Sequence, residues 1–229
     1  MAKKILVVVA HPDDEVLGCG GTILRHAKAG DEVHILIMAE GLTSRDDKRD
    51  VAAHEEELKD LHANSQRVAD KLGAKSVTLH NFPDNRMDGV ELLDVVKVVE
   101  AMLDKVKPEV VYTHHAGDVN IDHRITHEAV ITACRPLPGQ CVRRLLLFET
   151  VSSTEWQIQT ADKAFLPNWF VDITDVFEQK MKALRCYDSE MRPYPHSRSY
   201  EAVELLAKTR GFSIGTICAE AFMLGRNLE

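Results

Sequence analysis

The sequence predicts an α/β fold, a mostly parallel sheet flanked by helices on both faces. Three observations predict it. Short apolar runs at 5–9, 33–38, 77–82 and 110–113 read as strands, the first with no polar alternation, as in a strand buried on both sides. Segments of helical periodicity separate them, and a strand, helix, strand order favours parallel pairing. The strands end abruptly in polar turns, where open α/β sheets bind their ligands. The 229 residues suit one such domain spanning 1–229.

The first strand ends at Ala10-His11-Pro12-Asp13-Asp14-Glu15, and Pro12 cannot continue a ladder, so a histidine and three carboxylates enter the turn. Gly18-Cys19-Gly20-Gly21 then opens a helix over 22–29 that closes at Gly30. These glycines read as close packing of helix on sheet, because G-x-G-G lacks the spacing of a dinucleotide fingerprint. Beyond the strand 33–38 comes Arg45, a candidate clamp for a substrate hydroxyl or phosphate, with a surface ion pair as the equal alternative. The charge run 46–50 reads as solvated. Val51, His54, Leu58, Leu61, Ser65, Val68 and Leu72 recur at helical spacing, giving a helix over 50–72 closed by Gly73.

The strand 77–82 leads to Pro83-Asp84-Asn85, where Asp84 is a candidate for binding substrate hydroxyls and a plain turn is the alternative. A helix over 90–106 stops before Pro108, and the strand 110–113 is followed by four histidines and two aspartates within 114–127. Asp122 and His123 start a helix to 134, with Asp122 as its cap and an orienting partner for His123. Further on come a strand at 143–148, a loop at 152–167, a strand at 169–173, a helix to 187, a loop at 191–200, a helix at 200–209 and a mixed segment at 214–224.

Composition narrows the function. A net charge of -8 without a long basic run argues against nucleic acid. No apolar run approaches the roughly 20 residues of a membrane span. The N-terminus has no export h-region. Five cysteines, an odd number without a C-x-x-C pair, point to reduced thiols in the cytoplasm and against a thiolate zinc site.

A catalytic zinc takes three ligands from histidine and carboxylate and keeps a position open for water. His11 and Asp14 lie three apart in one turn, and His123 at another strand end completes such a set. Asp13 lies between the first two ligands, placed as a general base for water. Taken singly, His11 reads as a buried histidine and Asp13-Asp14 as a helix-capping turn. The two stretches together carry more than either alone.

The stretch 10–15 with Gly18, Gly20 and Gly21 behind it, and Gly117-Asp118-Val119-Asn120-Ile121-Asp122-His123-Arg124, resemble the signature of the PIG-L/LmbE family of metal-dependent deacetylases. Segments 83–88, 195–199 and 219–222 resemble that family too. The resemblance implies a Rossmann-like sheet, a zinc ion and hydrolysis of an N-acetyl group from a small amino sugar or its conjugate. It makes His11, Asp14 and His123 the metal ligands, Asp13 the base, and Asp122 the aspartate that helps orient the last ligand. Better-known members carry a histidine three residues before that ligand, where this chain has Asn120, which can donate a hydrogen bond to an oxyanion but cannot deliver a proton. Protonated Asp13 or His196 is then the candidate donor to the leaving amine. Iron, manganese or cobalt also suits the ligand set. The resemblance implies a homo-oligomer, a hexamer among the options. Two alternatives stay open: a metal-dependent amidase or esterase acting on another conjugate of bacillithiol or mycothiol type, and a catalytically silent sugar- or nucleotide-binding protein.

Overall fold

The computed structural model describes residues 2–229, with the side chain of Arg45 outside the described residues. The apolar run at the start of the chain forms β1 (Lys4–Val9), which pairs in parallel with β2 (Glu32–Ala39) on one side and β4 (Val110–His114) on the other. Outward from β2 lies β3 (Ser76–Phe82), and outward from β4 lie β5 (Arg144–Phe148), then β7 (Ala219–Asn227) and β6 (Trp169–Asp172). The sheet is parallel except at β7, which runs against both of its neighbours. The chain builds β1, β2 and β3 in one direction and then returns across β1 to lay down β4. That reversal makes the carboxyl ends of β1 and β4 a topological switch point, the crevice where such sheets hold ligands.

Successive residues of a strand face opposite sides, so β1 serves two cores. Ile5, Val7 and Val9 pack against α1 (Asp14–Lys28), α2 (Glu55–Leu72), α5 (Phe177–Leu184) and α6 (Tyr200–Phe212). Leu6 and Val8 pack against α3 (Leu92–Val106) and α4 (Ile121–Ala133). Among the described residues no helix is long and apolar enough to cross a membrane.

Three elements differ from expectation. The first helix begins at Asp14 rather than 22 and is broken at Cys19, whose φ of -150° and ψ of 23° interrupt the helical run. The second begins at Glu55, because 51–54 is a turn. The mixed segment 214–224 contains the start of β7, whose inward Glu220 disguises a strand. The glycines at 18–21 do serve close packing: a Cβ on Gly18 would lie 2.3 Å from the Phe148 ring, and one on Gly21 would lie 2.7 Å from Ile173. Phe148 is fully buried and has nowhere to move. Gly18→Ala is therefore expected to cost about 1–3 kcal/mol of stability, seen as a lower urea midpoint. Gly89→Ala, where a Cβ meets nothing within 4 Å, should leave the midpoint in place.

Candidate active site and metal centre

The turn after β1 is held by its own side chains. Asp14 Oδ2 accepts the His11 backbone N–H at 2.8 Å, and Glu15 Oε2 accepts the Asp13 N–H at 3.0 Å. Asp13 adopts a left-handed conformation with φ of 109°, a strain of about 1–3 kcal/mol for a residue with a Cβ. The strain turns its carboxylate away from capping α1 and toward Arg198, whose Nη1 donates to Asp13 Oδ2 at 2.9 Å. Burial, with the charge of Asp14 alongside, raises the Asp13 carboxyl from 3.8 to about 7 against the pull of Arg198. Burial likewise lifts Glu15 to about 8, so it stays protonated at neutral pH while bonded to the Tyr187 hydroxyl at 2.7 Å.

Asp14 Oδ2 is the meeting point of the histidines. It lies 3.4 Å from His11 Nδ1 and 3.3 Å from His123 Nε2. Each imidazole has a carboxylate on its far nitrogen: His11 Nε2 faces Asp122 Oδ2 at 3.0 Å and Asp84 Oδ1 at 3.2 Å, and His123 Nδ1 faces Asp118 Oδ2 at 3.2 Å. A proton on the far nitrogen leaves the near one its lone pair, the arrangement that orients histidine ligands of metals. His114 is the useful contrast. Its Nε2, 3.5 Å from Asp14, already accepts the Ala10 N–H at 2.9 Å, and its ring stacks on His123 at 3.9 Å.

The donor set fits a divalent metal. Ligand atoms of His11, Asp14 and His123 lie within 4.8 Å of one another. Asp13 Oδ1 and Asp14 Oδ1 are buried without a hydrogen-bond partner among the described residues, a cost that a cation offsets. Without metal the cluster carries protons instead. Burial opposes the charge on His123, yet Asp14 and Asp118 hold it up at about 9, and Asp122, Asp14 and Asp84 hold His11 well above 6.5.

The structure brings His11, Asp13, Asp14, Asp84, Asp122 and His123 together. Asp84 is turned onto His11 and accepts the Ser44 N–H at 3.1 Å, lying beneath the cluster. Two expectations need correcting. Asp122 does not cap α4; Asn120 does, its Oδ1 accepting the Asp122 and His123 N–H groups at 2.8 and 3.4 Å. Asp122 instead accepts the Asn85 and Met87 N–H groups and faces His11, and Asp118 is what orients His123. His196 is exposed, packs on Trp156 and accepts the Arg198 N–H on its Nδ1. Arg45 ends a short 3-10 turn, and its side chain lies outside the described residues. Sequence reasoning passed over Asp118, Glu15 and Arg198. A signal for Arg198 besides its place in segment 195–199 was electrostatic: carboxylates entering a buried turn call for a buried cation.

The family profile described as PIG-L, GlcNAc-PI de-N-acetylase, matches residues 6–134, more than half of the chain. The chain belongs to the PIG-L family. Among its relatives, diacetylchitobiose deacetylase of Thermococcus kodakarensis is 30% identical over 82% of this chain and 70% of its own. The structure of N,N'-diacetylchitobiose deacetylase from Pyrococcus horikoshii, complexed with an inhibitor, superposes with a TM-score of 0.76 at 26% identity, covering 97% of this chain and 84% of that one. The 4-oxalmesaconate hydratase of Pseudomonas putida is 28% identical over 80% of this chain and 72% of its own, so this PIG-L chain has relatives with more than one reaction.

Two outcomes follow from the geometry. Asp118→Ala should weaken metal binding about 10–100-fold in chelator competition, because His123 loses the acceptor that fixes its tautomer. Metal binding should tighten as pH rises from 6 to 9 and release about two protons per ion at neutral pH, measured by calorimetry in buffers of different ionisation enthalpy. In the metal-free protein the raised pKa of His123 works the other way: its stabilisation is full below 6.5 and lost as pH rises through about 9.

Proposed function

We propose that this chain is a metal-dependent N-deacetylase that removes the acetyl group from a small amino sugar of N-acetylglucosamine type or its conjugate. His11, Asp14 and His123 are the metal ligands in this reading, and Asp13 is the general base. The observation that carries it is the Asp13 carboxyl: buried, fixed at Oδ2 by Arg198, and with Oδ1 unpartnered among the described residues beside the histidine and aspartate donors. The relatives that act on N-acetylated sugars supply the substrate class.

A divalent metal in this set supplies Lewis acidity, which acidifies water and polarises a carbonyl. Ionised Asp13 takes the proton of the attacking water as the new C–O bond forms, and the same proton passes from Asp13 to the amine nitrogen as the C–N bond breaks. Oδ1, left free by the Arg198 bond to Oδ2, is the atom placed for both transfers. Asn120 keeps the first turn of α4, and with it His123, in place. Zinc as the metal, a cytoplasmic setting consistent with five unpaired cysteines, and assembly into a homo-oligomer belong to the same proposal.

The hydratase relative favours a second reading, addition of water to a carbon–carbon double bond of a small acid. Acetate release from a panel of N-acetylated amino sugars separates the two. Wild-type enzyme should release acetate, and Asp13→Asn should keep its metal and lose about 10²–10⁴-fold in turnover. No acetate from fully metallated wild type, with loss of enoate absorbance in its place, would overturn the deacetylase reading.

A further inference from the structure

We propose that Trp156 is a stacking platform for a pyranose ring of the substrate; the inference rests on the amino-sugar reading above. The loop at 150–157 is tied to both halves of the site. Ser153 and Thr154 donate their hydroxyls to Asp118, which orients His123, and the Thr154 bond is 2.7 Å. Ser152 Oγ accepts Arg198 Nε at 2.9 Å, and that same guanidinium holds Asp13. Within the loop, Thr150 and Thr154 close a turn on each other, and Glu155 accepts the Ser152 and Ser153 N–H groups.

Such a loop has little freedom, and Ser153 and Thr154 are buried. The next large side chain is nevertheless open: Trp156 is 55% exposed. Its ring meets His196 edge to face at 5.4 Å, and His196 is itself fixed by the Arg198 N–H on its Nδ1 at 3.0 Å. The indole thus packs on His196, two residues before the arginine that holds Asp13, and follows closely on the two hydroxyls that hold Asp118. A pyranose presents hydroxyls around its edge and C–H groups on its face. The carboxylates, imidazoles and arginine of the site can bond the hydroxyls, but they offer nothing apolar to that face. An indole does, through a flat electron-rich surface, and its N–H can donate to a hydroxyl as well. Because the loop is fixed before substrate arrives, stacking requires little new ordering.

The test uses metal-loaded enzyme, with N-acetylglucosamine and N,N'-diacetylchitobiose as substrates. Trp156→Ala should raise KM about fivefold or more with kcat within about twofold, and Trp156→Phe should restore most of the loss. The chain has two tryptophans, and Trp169 lies in β6 under Arg144, so Trp169→Phe leaves Trp156 as the sole indole reporter. Glucosamine, which cannot turn over, should then shift its emission saturably. Unchanged KM and flat emission, in an enzyme that still releases acetate, would overturn the platform and leave the deacetylase reading intact. So would a Trp156→Ala enzyme with unchanged KM and an altered elution volume, which would make the indole a contact between copies of this chain. If wild type released no acetate, the deacetylase reading would fall, and the glucosamine titration would still decide the platform.

Discussion

Six carboxyl groups are buried around one point of this molecule: Asp13, Asp14, Glu15, Asp84, Asp118 and Asp122. Burying that many ionisable groups costs more than any packing returns unless each is neutralised or bonded. The structure uses three devices. Glu15 stays protonated. Asp84, Asp118 and Asp122 accept backbone N–H and hydroxyl donors from Ser44, Asn120, Asn85, Met87, Ser153 and Thr154. The remaining charge is met by Arg198 and two imidazoliums. Replacing two imidazolium protons by one divalent cation leaves the total charge of the cluster unchanged, so one carboxylate frame suits both the protonated and the metal-bound protein.

The position of this cluster follows from topology, and its rigidity from the glycine-rich helix behind it. The break at Cys19 gives α1 a second free N-terminus at Gly21 and Thr22. Glu220 from β7 fills it, accepting the Gly21 and Thr22 N–H groups at 2.8 and 2.7 Å and the Thr22 hydroxyl at 2.6 Å. Lys180 of α5 completes the bonding of that buried carboxylate at 2.7 Å. The one antiparallel strand is thereby fastened to the helix that begins at Asp14. A break that would weaken an isolated helix here couples the edge of the sheet to the turn that carries Asp13 and Asp14.

The fold was legible because β1, β2 and β4 each carry an unbroken apolar run, at 5–9, 35–39 and 110–112, and the helices between them keep their periodicity. β7 was not, because Glu220 points inward and is satisfied by partners about 200 residues away in sequence, which no local pattern reveals. At the site, His11, Asp13, Asp14 and His123 stood out because two strands of one sheet end in such residues at the same edge, which neither stretch conveys alone. The residues that orient them did not. Asp118 and Asp122 lie four apart in one polar stretch, and only the path of the turn decides that Asp118 faces His123 while Asp122 faces His11. His196 and Arg198 share a loop two residues apart, and only the path of that loop decides that Arg198 reaches Asp13 while His196 packs on Trp156.

Asn120 shows how a single substitution redistributes a role. Its Oδ1 is committed to the first turn of α4, which fixes the amide with Nδ2 toward Asn85 Oδ1 at 2.8 Å. One N–H remains for an oxyanion, and no proton can leave an amide at neutral pH. Arg198 cannot supply one either, since its bond to Asp13 holds its guanidinium charged. His114 is buried, neutral and engaged with Ala10, leaving no path from its ring to the reaction. On the proposed reading, the proton delivered to the amine is the one Asp13 removed from water. The bond from Arg198 to Oδ2 leaves Oδ1 as the atom that takes this proton from water and returns it to nitrogen, so the second half of the reaction depends on that fixed carboxylate as much as the first.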